Sequence, residues 1–142
     1  MKKILTIFGL FRTKRLTKEE IINETVNFYS ADISRRSVSN DGFGGCKYNH
    51  ANGNHCAVGR VLLPKYHKQG TKMKGNTNGI GIFMGEQNIK SLDVVLQKQY
   101  RGHETSFWRG LQNLHDEGNY WKIGGLTERG KKYVEELKEK KY

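Results

Sequence analysis

The stretch from Gly45 to Arg60 constrains this chain most, because it holds both cysteines and two of the five histidines around an Asn52-Gly53 dipeptide. Asn-Gly is the composition of a tight hairpin turn, so the flanking residues are expected to fold back and make Cys46 and Cys56 spatial neighbours. That arrangement suits a zinc site, a disulfide or a small buried core, and the rest of the sequence must choose among them.

The 142 residues fit one compact domain that can bury a core without staples. Two cysteines are too few for a disulfide scaffold. No apolar run approaches the ~20 residues needed to cross a bilayer. The apolar segment from Ile4 to Phe11 contains Gly9 and runs into Arg12-Thr13-Lys14-Arg15 without a small-residue cleavage site, so it reads as an N-terminal strand or packed helix end. A cytoplasmic protein with no membrane partner is the expectation.

Charge points to the partner class. The 25 Lys plus Arg against 14 Asp plus Glu give a net +11, which favours a polyanion: nucleic acid, a phosphorylated small molecule, an anionic membrane surface or an acidic protein. The tail from 138 to 142, with Lys138, Lys140 and Lys141, reads as a solvated basic end.

Periodicity and capping supply the elements. Thr17-Lys18-Glu19-Glu20 is a capping box, and Ile22, Val26 and Tyr29, with Ile21 and Phe28 beside them, make an apolar helical face to about residue 30. Ser37 to Gly45 is loop-like, and Val61-Leu62-Leu63 is closed by Pro64. Leu92, Val95, Leu96 and Gln99 have helical spacing; a second helix from near Glu104 turns Phe107, Leu111 and Leu114 inward; a third, capped by Thr127, buries Tyr133, Val134 and Leu137. The fold class that follows is α+β, a single domain with a central β-hairpin or small sheet packed against several helices.

Residues 69–85 hold Gly70, Gly75, Gly79, Gly81 and Gly85 among Lys72, Lys74 and several Asn and Thr, the ingredients of an anion-contacting loop. The near match to a phosphate-binding loop, Gly70 to Thr77, has Asn76 where the lysine belongs, which argues against a nucleotide triphosphatase.

Leu111-Gln112-Asn113-Leu114 followed by glycine, aromatics and Leu126-Thr127-Glu128-Arg129-Gly130 has some likeness to the end of a winged-helix domain, but Tyr120 to Leu126 is expected to supply at most one short strand. A fuller resemblance rests on Cys46-x-Tyr48, Gly53-x-x-Cys56-Ala57-Val58-Gly59-Arg60-x-Leu62, Leu111-Gln112-x-Leu114-His115-Asp116 and Trp121, with Phe28 to Arg36 upstream. This pattern resembles a family of small, functionally uncharacterised bacteriophage and prophage proteins. The resemblance covers roughly residues 20 to 135 and implies a viral origin and a mixed fold, not an activity.

Cys46, His50, His55 and Cys56 are four candidate zinc ligands, but adjacent His55 and Cys56 point to opposite faces of an extended segment and Cys46-x3-His50 is not a usual ligand pair. Both thiols are therefore expected to be small buried hydrophobes, with no metal and no cofactor. No nucleophile elbow, dinucleotide fingerprint or distinctive carboxylate pair is present, and His115-Asp116 would have to converge from neighbouring helix positions that normally diverge. A non-enzymatic role is the expectation.

By analogy, a small basic phage-type protein with no catalytic set fits anti-defence capture of an anionic nucleotide signal. Arg60, Lys47 and Lys72 or Lys74 are the expected phosphate contacts, with Trp108 and Trp121 as aromatic candidates, although Trp108 reads more readily as core packing. The alternatives are nucleic-acid binding, with Trp108, Tyr120 or Trp121 stacking bases, and inhibition of an acidic host protein; a homo-oligomer is compatible with each. A closed pocket of positive charge favours capture, and an open face favours nucleic acid.

Overall fold

The computed structural model describes residues 14–36, 46–47, 55–66, 74–75 and 79–141. In order these form α1 (Lys18–Ala31), β1 (Cys46–Lys47), β2 (Lys74–Gly75), α2 (Gly79–Glu86), α3 (Thr105–Asp116), β3 (Trp121–Lys122), β4 (Gly125–Leu126) and α4 (Glu128–Glu139), joined by 3-10 turns. It is an α+β fold with two small antiparallel ladders, β1 with β2 and β3 with β4. The expected N-terminal strand, the Asn52-Gly53 turn, Lys72 and most of the glycine-rich segment lie outside the described residues.

Local chemistry explains the helices. The Thr17 hydroxyl accepts the Glu20 N–H at 3.1 Å and starts α1, which buries Ile21, Ile22, Thr25 and Tyr29. Glu104 occupies the N-cap position of α3, which turns Phe107, Trp108, Leu111, Leu114 and His115 into the core. Thr127 caps α4 by accepting the Gly130 N–H at 3.2 Å, and Val134 and Leu137 are buried, while Tyr133 is only half-buried. The α1 helix packs on β4 and α4, and α3 packs on α4.

Around these helices the segment 55–62 fills the middle of the core. Cys56, Ala57, Val58, Val61 and Leu62 are fully buried. Tyr29 donates from its hydroxyl to the His55 carbonyl at 2.7 Å, and the Val58 N–H donates to Gln112 Oε1 at 3.3 Å, tying the segment to α1 and α3. Its arm is not a strand paired back on Cys46: β1 pairs with β2, Cys46 opposite Gly75 and Lys47 opposite Lys74.

Three other expectations change. Leu92 to Gln99 is not a helix but two 3-10 turns, Leu92–Val94 and Lys98–Tyr100. Leu96 bridges to Leu62 and the Gln97 N–H donates to the Val61 carbonyl at 2.9 Å, so cross-chain bonds replace the helical ladder while the apolar residues remain buried. The glycine-rich stretch becomes helical at its end, where Ile80 and Phe83 are buried three residues apart. Finally, 121–126 supplies two paired strands rather than one, with Trp121 opposite Leu126 and Lys122 opposite Gly125 across an Ile123-Gly124 turn. Gly124 has φ +90°, a conformation that favours glycine.

Candidate functional site

Arg60, the expected phosphate anchor, is already engaged. Its guanidinium meets Glu24 Oε1 at 2.9 Å and the Thr25 hydroxyl at 3.4 Å, it lies over the Phe28 ring, and its side chain is 14% exposed. Glu24 Oε1 also accepts the Tyr100 hydroxyl, whose pKa is pushed up by burial and by that bond. The fork that was expected to face an anion is closed on a carboxylate, so Arg60 reads as a strut between the central segment and α1. A concavity of about 660 Å³ beside this cluster is lined by Leu16, Glu20, Asn23, Glu24, Asn27 and Phe28, a surface that repels phosphate.

The two tryptophans are also corrected. Trp108 is fully buried, within ring contact of Tyr100, Phe107 and His103, and Trp121 is buried with its Nε1–H donating to the Leu114 carbonyl at 2.7 Å. Neither presents a face to a ligand; both hold the core together. Of the four expected cations, the structure brings Lys47 and Lys74 together as register partners and separates Arg60 from solvent anions; Lys72 lies outside the described residues.

Other arginines are struts as well. Arg35 donates to the Phe28 carbonyl, Arg36 to the carbonyls of His115 and Asp116, and Arg101 to the Leu96 carbonyl. Part of the positive charge thus completes the fold.

His115 and Asp116 do converge. Asp116 ends α3, and its Oδ1 lies 2.9 Å from His115 Nδ1 while accepting Gln112 Nε2–H at 2.8 Å. The imidazole is buried against Tyr29, its Nε2 has no hydrogen-bond partner among the described residues, and burial holds its pKa below the ordinary histidine value despite Asp116. A base oriented by a carboxylate is present here, but among the described residues no hydroxyl or thiol is hydrogen-bonded to Nε2. Cys56 is a buried free thiol whose Sγ accepts the Gly59 N–H at 3.3 Å, and no group of metal-competent side chains occurs among the described residues.

Cations open to solvent gather elsewhere. Tyr120, in the turn before β3, stacks on Tyr133 of α4 with ring centroids 4.8 Å apart and planes 21° from parallel. Arg129, Lys132 and Glu136 join this pair around an open concavity of about 220 Å³. Their spacing on α4 explains the grouping, since positions three and four apart share one helical face. Arg129 and Lys132 are exposed, and Lys122 is exposed on the hairpin that leads into α4. Tyr120 was a stacking candidate in the sequence; Tyr133, Arg129 and Lys132 were missed because a tyrosine at helical spacing reads as core and a lysine-rich helix reads as a solvated face.

No helix among the described residues is long and apolar enough to cross a membrane. Comparison of the chain with protein-family models, with curated proteins and with solved structures found no match.

Proposed function

We propose that this protein is a non-enzymatic nucleic-acid-binding protein whose contact face is the β3–β4 hairpin and the adjoining face of α4. The observation that carries this reading is the Tyr120–Tyr133 stack flanked by Arg129 and Lys132 on an open surface. Aromatic rings beside cations are what a nucleic-acid strand uses, the cations meeting backbone phosphates and the rings offering a stacking edge. The net charge of +11 supplies long-range attraction. Fluorescence anisotropy with labelled duplex and single-stranded oligonucleotides tests it: Arg129→Ala with Lys132→Ala weakens binding by at least about tenfold and lowers its salt dependence. Unchanged affinity in that double variant contradicts the reading.

A second reading, capture of an anionic nucleotide by a phage anti-defence protein, is favoured by one observation: Lys47 and Lys74 stand opposite one another in the β1–β2 register. Two lysines at paired register positions supply the cations that a phosphate needs. Calorimetry with cyclic and linear nucleotides separates the two, because capture gives heat that Lys47→Ala and Lys74→Ala abolish while Arg129→Ala leaves it intact.

A further inference from the structure

Ile123 is 92% exposed at the tip of the β3–β4 hairpin, whose residues Trp121 and Gly125 are buried. Turn positions favour Gly, Pro, Asn, Asp and Ser, and a β-branched apolar residue gains nothing there from the fold itself. Trp121 is buried and bonded to Leu114, a Cβ on Gly125 would meet the Ser30 hydroxyl at 3.2 Å, and the Thr127 N–H donates to the Tyr120 carbonyl at 2.9 Å. Exposed Lys122 precedes Ile123, and Arg129 follows in the first turn of α4. An apolar point on a two-stranded stem, with Lys122 beside it and Arg129 in the helix that follows, matches the chemistry of a wedge that enters the minor groove and separates a base step while cations hold the phosphates.

We propose that Ile123 is such a wedge and that the partner is duplex DNA. The inference rests on the nucleic-acid reading above and narrows it. Charge complementarity selects this occupant: Lys122, Arg129 and Lys132 suit the phosphates flanking a groove, and insertion removes Ile123 from water.

The test uses the full chain with a duplex carrying 2-aminopurine at successive steps, a single strand of the same sequence, and anionic phospholipid vesicles. Binding to the duplex raises 2-aminopurine fluorescence at an unstacked step. Ile123→Ser weakens duplex affinity about tenfold and removes that signal, as the lost burial of one large aliphatic side chain dictates. Ile123→Phe preserves both, and Val94→Ser, at the other exposed aliphatic position, changes neither. Because Ile123 packs against nothing, the Ser variant keeps the wild-type melting temperature. Duplex binding that is unaffected by Ile123→Ser and gives no 2-aminopurine signal overturns the wedge while leaving the nucleic-acid function standing. Vesicle binding that Ile123→Ser abolishes, without an effect on DNA, overturns it in favour of a lipid surface. Absence of binding to duplex and single strand alike overturns both the wedge and the function beneath it.

Discussion

Arg60 lies 36 positions from Glu24 in sequence and 2.9 Å from it in space. Nothing local in Gly59-Arg60-Val61 signals that partner, which is why a phosphate contact and an internal strut read alike until α1 is laid against the central segment. Removing the guanidinium leaves Glu24 and the Thr25 hydroxyl short of a donor, so Arg60→Ala is expected to lower stability by about 1.5–3 kcal/mol, measured by urea unfolding, with nucleic-acid affinity changed less than twofold. His115 gives a second residue-level prediction. Its folded-state pKa is depressed by burial, so the unfolded chain takes up a proton that the native chain refuses. Stability is therefore full above the unfolded value of about 6.5 and declines as pH falls below it toward the folded pKa. Asp116 opposes the shift and Arg36, bound at the end of α3, reinforces it. His115→Gln should flatten the dependence below about pH 6.5 in urea titrations; a slope unchanged by the substitution contradicts the assignment.

Thr17 and Thr127, which bond their own first turns, made the helices at 18–31 and 128–139 legible, and apolar spacing that persists for several turns made 105–116 legible. Elements completed by distant partners were not legible. Residues 92–99 keep their apolar period but exchange backbone bonds with 61–63, and the 121–126 hairpin depends on a turn whose first residue, Ile123, carries no turn signal. The candidate surface followed the same rule, since Tyr120 finds Tyr133 only after the hairpin folds back on α4. The close seating of α4 can be tested directly. A Cβ on Gly130 would stand 2.3 Å from the Tyr120 carbonyl oxygen, so the backbone must move, and Gly130→Ala should cost about 1–3 kcal/mol and disturb the tyrosine stack. Truncation before Val134 removes Val134 and Leu137 from the core, and a melting temperature equal to that of the intact chain would contradict the packing described.

At the scale of the whole molecule the question is where the net +11 resides. Arg35, Arg36, Arg60 and Arg101 bond protein acceptors, the concavity beside Arg60 is lined by Glu20, Glu24, Asn23, Asn27 and two apolar side chains, and exposed Lys122, Arg129 and Lys132 border a tyrosine stack on an open face. Composition alone pointed to a polyanion as an expectation but not to this division, because a lysine count does not distinguish struts from contacts. In the proposed reading the open face, not a closed pocket, meets the polyanion. The salt dependence of oligonucleotide affinity measures it most directly. Phosphate contacts by Lys122, Arg129 and Lys132 predict a slope of log K against log salt of about −3, falling by about 2 in the Arg129→Ala, Lys132→Ala double variant and unchanged in Lys47→Ala, Lys74→Ala. A slope untouched by the first pair of substitutions and lost with the second would place the contact on the β1–β2 ladder and contradict the account.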